Sequence, residues 1–248
     1  MQNPTVLYED KDLLVVNKPS GLLVHPFVKP KAKSQKSKVL DEPTLTDWLL
    51  RHYPEVKTVG DAPEERPGII HRLDRDTSGV MVVARNQKTF LYLKSLFQKH
   101  EVKKTYLALV WGVSKETTGT ITKPIGIRNG TVKRSVHGGR MIKDAVTDYR
   151  VLRTYVDVRG RDYDSLRMSL LKVSPQTGRT HQIRVHLASI HHPIVGDPLY
   201  GKKHESFAAP RLMLHASEIE FAKSDGKRIR VAAEPPQDFL DYEKTVGP

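Results

Sequence analysis

Ile69-Ile70-His71-Arg72-Leu73-Asp74-Arg75-Asp76-Thr77-Ser78-Gly79-Val80-Met81-Val82-Val83-Ala84 sets two apolar runs on either side of a segment crowded with charge. Short runs rich in Val and Ile predict buried strands, here residues 69–70 and 80–84, so residues 71–79 read as the polar interruption between them. An ordinary connection is short and needs no such density of charge. One explanation is that Arg72, Asp74, Arg75 and Asp76 pair with one another on the surface, where ion pairs are common and worth little. The other is functional: a carboxylate flanked by cations at a strand end is placed to meet a phosphate backbone and to act as a nucleophile. The strand-end location favours the second.

Working outward, residues 6–8 and 13–17 are β-rich runs joined by the polar turn Glu9-Asp10-Lys11-Asp12. Thr44 precedes an apolar pattern at Leu45, Trp48 and Leu49, with Asp47 placed to return a capping hydrogen bond, so a helix starts there and stops before Pro54. Asn86 caps a second helix whose Phe90, Leu93 and Phe97 share a face and which ends near His100. Strands are expected at residues 102–113, 120–127, 146–158, 165–173, 212–221 and 227–232, and a short helix at 180–190. Strands outnumber helices, and few are joined by helical crossovers. The predicted class is therefore α+β, a mixed and mainly antiparallel sheet with flanking helices, in a single domain spanning residues 1–248.

Lys and Arg number 41 against 28 Asp and Glu, a net charge of +13 that calls for a polyanionic partner, nucleic acid first. Five of the ten residues from Lys29 to Lys38 are lysine with no acid among them, so residues 28–43 are expected to form a basic loop. An acidic membrane is disfavoured, because there is no long basic amphipathic helix and the longest apolar run, residues 107–113, is far too short to span a bilayer. The absence of cysteine excludes disulfides and thiolate metal sites and suits a reducing cytoplasm. No signal peptide is visible at the start.

A second cluster is Thr177-Gly178-Arg179-Thr180-His181-Gln182-Ile183-Arg184-Val185-His186-Leu187. Helical spacing puts Arg184 one turn beyond Thr180 and beside the apolar stripe, so its guanidinium is either exposed or turned inward. Turned inward opposite Asp74, it would keep that carboxylate ionised. His181, His186, His191 and His192 follow no paired metal-ligand spacing, and no metal site is expected. Tyr106 alternates with apolar neighbours, which fits a core tyrosine as well as a stacking surface for a base. Phosphate loops of the ATP or dinucleotide type are absent.

Four stretches, in order, resemble the RluA-type family of pseudouridine synthases: Val16-Asn17-Lys18-Pro19-Ser20-Gly21-Leu22-Leu23-Val24-His25-Pro26; residues 71–79; Lys104-Thr105-Tyr106; and residues 178–186 with His192-Pro193-Ile194-Val195-Gly196-Asp197. The likeness runs from about Val6 to about Ala232, and the second stretch is the most specific. It implies the pseudouridine synthase catalytic fold. It also implies that Asp74 is the catalytic aspartate, that Tyr106 stacks on the base, and that Arg184 is the basic residue paired with the aspartate. Arg72 matches the arginine that displaces the target nucleotide, Leu187 an aliphatic wall of the base pocket, and His71 stands beside them as an RNA or base contact. No cofactor is expected, because an isomerisation exchanges neither electrons nor groups with a second molecule.

Many relatives carry a small RNA-binding domain before the catalytic one. Here only a few residues precede the first strand, so RNA selection is expected to rest on the catalytic domain and its basic loops. The expected partner is structured RNA rather than DNA or a membrane, large-subunit ribosomal RNA first and transfer RNA as the alternative. The chain is expected to act as a monomer in the cytoplasm. Two rivals are a catalytically inactive RNA-binding protein on the same fold and a hydrolase that releases uracil.

Overall fold

A computed structural model describes residues 2–26, 42–114, 116–128, 131, 133–156, 167–201 and 209–246. The basic stretch Lys29 to Lys38 lies outside them. The chain forms two compact units, Met1–Val102 with Ile219–Ala233, and Lys103–Glu218 with Glu234–Pro248.

In the first unit, β1 (Thr5–Glu9), β2 (Leu13–Lys18) and β3 (Ser78–Ala84) form an antiparallel run, with Val15 opposite Val82 and Lys18 opposite Gly79. Asp10 ties the first hairpin by accepting the N–H groups of Asp12 and Leu13 through Oδ1, each at 2.9 Å. Every residue of β3 is buried, which explains why residues 80–84 read as a continuous apolar run rather than an alternating one. One face of β3, Val80, Val82 and Ala84, packs on Phe90, Leu93 and Leu96 of α2 (Gln87–Gln98), whose cap is Asn86 as predicted. On the other face Val83 meets the chain at Gly68, where φ is +70° and an added Cβ would stand 2.7 Å from the Ala84 carbonyl; only glycine fits.

Ile69 contributes a single antiparallel bridge to Val83, not the strand expected of Ile69-Ile70. The reason is local: Gly68 turns the chain in too tightly for a ladder to extend. The helix α1 (Leu45–His52) carries the expected capping box, Thr44 accepting from the Asp47 N–H and Asp47 from the Thr44 N–H, and ends before a 3-10 turn at Pro54–Thr58. Leu23 and Thr44 are paired in parallel, and the Leu23 and Val24 carbonyls accept from the N–H groups of Leu45 and Thr46.

In the second unit the strand order is β4 (Lys103–Trp111), β10 (Arg167–Pro175), β9 (Thr147–Val156) and β5 (Thr118–Ile121), all antiparallel. The strand expected over residues 120–127 is broken. Pro124, which has no N–H to give a ladder, separates β5 from β6 (Ile125–Ile127), and β6 instead joins β7 (Arg134–Ser135) and β8 (Arg140–Lys143) in a small sheet of order β7-β6-β8. One face of the main sheet carries α3 (Gln182–Ser189), and the core there includes Ala108, Leu171, Val173, Ile183 and Leu187. Residues 214–218 of β11 (Leu214–Ala222) belong to this unit and residues 219–222 to the first, where β12 (Arg228–Ala232) pairs with β11. The helix α4 (Gln237–Val246), which the sequence pattern did not announce, buries Phe239 and Val246 in the second unit's core. The architecture is α+β with a mainly antiparallel sheet, as the sequence predicts. No described helix is long and apolar enough to cross a membrane.

Candidate active site

Asp74 opens a turn that leads into β3, its carbonyl accepting the Thr77 N–H at 3.2 Å. That turn is held from the Lys18 to Leu22 stretch, so two of the sequence motifs interlock. Lys18 is fully buried at the end of β2, and its ammonium donates to the carbonyls of Pro19 (2.9 Å), Leu22 (2.8 Å) and Arg75 (2.9 Å). A charged amine is tolerated there because several carbonyl dipoles replace its water. Gly21 N–H also donates to the Arg75 carbonyl at 2.9 Å, and Ser20 Oγ to the Asp76 carbonyl at 2.7 Å. Arg75 itself points outward, to the Gly21 carbonyl and to Glu42 at 2.9 Å. The chain at Asp74 is therefore fixed by backbone contacts on its C-terminal side.

Arg72 is exposed, with Nη1 3.4 Å from His25 Nε2. His25 Nδ1 faces the Pro26 carbonyl at 3.1 Å and so carries the proton, leaving Nε2 to accept from the guanidinium. Burial, and secondarily the guanidinium groups of Arg72 and Arg66, hold His25 below the usual histidine range despite the Pro26 bond. His71 turns the other way: Nε2 accepts the Val82 N–H at 3.0 Å, and the ring stacks on Phe97 at 4.7 Å. It braces β3 against α2.

In the second unit, Tyr106, Leu187 and Arg184 come to the same side of the main sheet. Tyr106 pairs with Val173 and Val173 with Tyr149, and Tyr106 packs against the core that holds Leu187. The helix α3 is fastened to this face by a chain of neutral hydrogen bonds. Gln182 Nε2 donates to Thr147 Oγ1 at 2.9 Å, Thr147 Oγ1 lies 2.9 Å from His186 Nδ1, and His186 Nε2 lies 2.8 Å from the Lys123 carbonyl. Burial keeps His186 below its usual range, partly countered by the Lys123 carbonyl bond. His181 enters α3 with φ +56°, its Nδ1 3.0 Å from the Tyr200 hydroxyl, and His192 Nδ1 lies 3.0 Å from the Trp111 carbonyl. These rings have structural partners.

Arg184 is 4% exposed, which settles the inward orientation. Its Nε donates to Asp197 Oδ2 at 2.8 Å and Nη2 to Oδ1 at 2.9 Å, a two-pronged pair lying over the Tyr200 ring at 5.4 Å. Asp197 Oδ1 also accepts from the N–H groups of Leu199 and Tyr200. Burial alone would raise the Asp197 carboxyl; the guanidinium and the two amides outweigh it and hold the group below the usual carboxylate range. Asp197 and Lys18 were thus present in the sequence motifs without a role. The signal for each was a charged residue bordering an apolar run, Asn17-Lys18 after Val15-Val16 and Asp197 after Ile194-Val195.

The chain matches the RNA pseudouridylate synthase family over residues 12–189, which takes in Asp74, Tyr106, Arg184 and Leu187. It belongs to that family. It is 40% identical over 209 residues to an uncharacterized RNA pseudouridine synthase of Aquifex aeolicus, covering 84% of this chain and 60% of that one. It is 37% identical over 248 residues to the ribosomal large subunit pseudouridine synthase D of Pseudomonas aeruginosa, covering 95% and 69%. Against the solved structure of human RNA pseudouridylate synthase domain containing 1 the TM-score is 0.72 at 29% identity, over 94% of this chain and 84% of that one. The chain thus spans about three fifths of the length of the Aquifex relative.

Proposed function

We propose that this chain isomerises uridine to pseudouridine in structured RNA, with large-subunit ribosomal RNA as its substrate, acting as a single catalytic domain, monomeric and cytoplasmic. The observation that carries the reading is the turn at Asp74, which falls within the matched family segment and is locked by Lys18 and Gly21. Such pre-organisation suits a carboxylate that must act on a sugar. Relatives at 34–37% identity named ribosomal large subunit pseudouridine synthase D support the choice of RNA.

In this proposal the C1′–N1 bond of uridine breaks, the uracil turns, and a C1′–C5 bond forms. The C5 proton is lost and N1 gains one, so the formula is unchanged and no co-reactant enters. The base must be held out of the helix while free. Extrusion costs a few kcal/mol of stacking, offset by Tyr106 beneath the base, by Leu187 as an apolar wall and by Arg72 in the gap left behind. Asp74 is the catalytic carboxylate, and Arg184 is the fixed cation of the site, anchored by Asp197. His71 acts at one remove, as a brace for β3.

The test is to incubate purified protein with transcribed large-subunit ribosomal RNA and map pseudouridine. Modified uridines that vanish in Asp74→Asn, with no free uracil released, are the expected result. Free uracil would replace the proposal with glycoside hydrolysis, and bound but unmodified RNA would replace it with an RNA-binding role.

A further inference from the structure

The face of the main sheet opposite α3 carries a cleft of about 450 Å³ lined by Thr118, Thr120, Asp148, Arg150, Lys172 and Ser174. Strand register builds it. Lys172 stands opposite Arg150 and Arg150 opposite Thr118, giving one row across β10, β9 and β5; Ser174, Asp148 and Thr120 form the next row. Side chains two residues apart share a face, and the two rows are therefore about 7 Å apart. Two features of this grid need explaining.

First, Arg150 and Lys172 are like charges set directly opposite on neighbouring strands, an arrangement that destabilises a sheet. Both are exposed, and neither makes an ion pair among the described residues. Arg153, exposed on the neighbouring stretch of β9, has a carboxylate partner in Glu243. Second, Asp148 in the adjoining row is held by neutral donors, Thr120 Oγ1 on Oδ1 and Gln176 Nε2 on Oδ2, each at 2.7 Å. A carboxylate oxygen accepts more than one hydrogen bond, so both oxygens of this cleft-lining residue keep acceptor capacity.

We propose that this cleft is a ribonucleotide-backbone site: Arg150 and Lys172 grip a phosphodiester, and Asp148 accepts a hydrogen bond from the ribose 2′-hydroxyl. The repulsion between the two cations is relieved when the phosphate sits between them. The acid beside them, which would weaken a site for a bare anion, is accounted for by the sugar. A 2′-hydroxyl is the group by which a protein distinguishes RNA from DNA. The site rests on RNA being the substrate, and it lies on the sheet face away from Tyr106 and α3. It extends the bound RNA beyond the target nucleotide.

The test is lysine footprinting of the full chain with transcribed large-subunit ribosomal RNA, an RNA oligonucleotide, its 2′-deoxy counterpart, or inorganic phosphate alone. Lys172 should be protected from acetylation by both RNAs, several-fold less by the deoxy strand, and not by millimolar phosphate. In Asp148→Asn the preference for RNA over the deoxy strand should shrink. Arg150→Ala with Lys172→Ala should flatten the salt dependence of RNA affinity by about 0.7–0.9 in log–log slope for the one phosphate lost, leaving single-turnover pseudouridine formation at saturating RNA unchanged. Lys172 equally reactive in RNA-bound protein, or an unaltered slope, overturns the proposal, and protection by phosphate alone reduces the cleft to a free-phosphate site. Protection of Lys172 without any pseudouridine would instead leave the cleft standing and refute the isomerase reading, whereas failure to bind RNA at all removes both.

Discussion

Replacing Lys18 by Met keeps the length of the side chain and removes its charge, which tests whether the buried ammonium holds the turn at Asp74. Three carbonyls lose a charge-assisted bond. The losses are unequal. The Arg75 carbonyl keeps the Gly21 N–H, and the Pro19 carbonyl is only part-buried and is open to water, but the Leu22 carbonyl sits in a buried contact. An orphaned buried acceptor costs about 1–3 kcal/mol, and a bond to a charged group contributes about 1.5–3 kcal/mol. Against this, methionine needs no desolvation of an ammonium, which offsets several kcal/mol of the gross loss. The net expectation is a destabilisation of about 2–3 kcal/mol, or roughly 4–12 °C in Tm for a chain of this size. Because the turn begins at Asp74, activity should fall further than stability, with kcat reduced and RNA affinity held. Calorimetry gives the first number, and hydrogen exchange at the Gly21 amide localises it. A Tm within about 1 °C of the parent, with undiminished pseudouridine formation, would show that Lys18 does not hold the turn.

Asp74→Asn should abolish pseudouridine formation with RNA binding intact, measured by single-turnover assay and by gel shift; retained turnover by folded protein refutes the assignment. Asp197→Asn removes the two-pronged carboxylate partner of the buried Arg184 guanidinium and should cost about 3–5 kcal/mol, read from a urea melt. Since the folded Asp197 carboxyl is depressed, the stability it contributes is complete above its unfolded value near 3.9 and is lost as pH falls through its folded value; the wild-type acid transition should carry this component and the variant should not. His186 is held neutral, so its contribution is complete above an unfolded value near 6.5 and declines as pH drops below it; the fall in Tm between pH 7 and 5 should be smaller in His186→Gln. Neutralising the five lysines from Lys29 to Lys38 should lower the salt slope of RNA binding by about 0.7–0.9 per phosphate engaged; an unchanged slope would move recognition to Arg128, Lys133, Arg134, Arg140 and Lys143.

Local rules carried much of the fold. The Thr44 capping box, the Asn86 cap, the hairpin at Asp10 and the buried run of β3 each depend on neighbours a few residues apart, and each was legible. Where the outcome depended on distant partners the sequence was mute. Nothing in Ile69-Ile70 revealed that Gly68 would press against Ala84, and the run from Thr118 to Ile127 concealed that its halves join different sheets, although Pro124 marked the break. The helix α4 follows Pro235-Pro236 and buries little besides Phe239 and Val246, too sparse an apolar pattern to stand out. At the candidate site, the place of Arg184 beside the apolar stripe left an inward and an exposed guanidinium equally open, and its partner Asp197, 13 residues on, was not legible. His71 looked like part of a charged catalytic segment, and its stacking on Phe97 is a tertiary fact.

The pairing of Leu23 with Thr44 has a consequence for how such a chain can diversify. It joins the stretch after β2 to the start of α1 through adjacent backbone positions. The entropy of closing a loop grows only logarithmically, and doubling its length costs about 0.6 kcal/mol. Lengthening the sequence between these anchors is therefore expected to change Tm little, with the register of β2 and the start of α1 undisturbed. The pairing fixes the start of α1 against the stretch after β2 whatever the length of sequence between them.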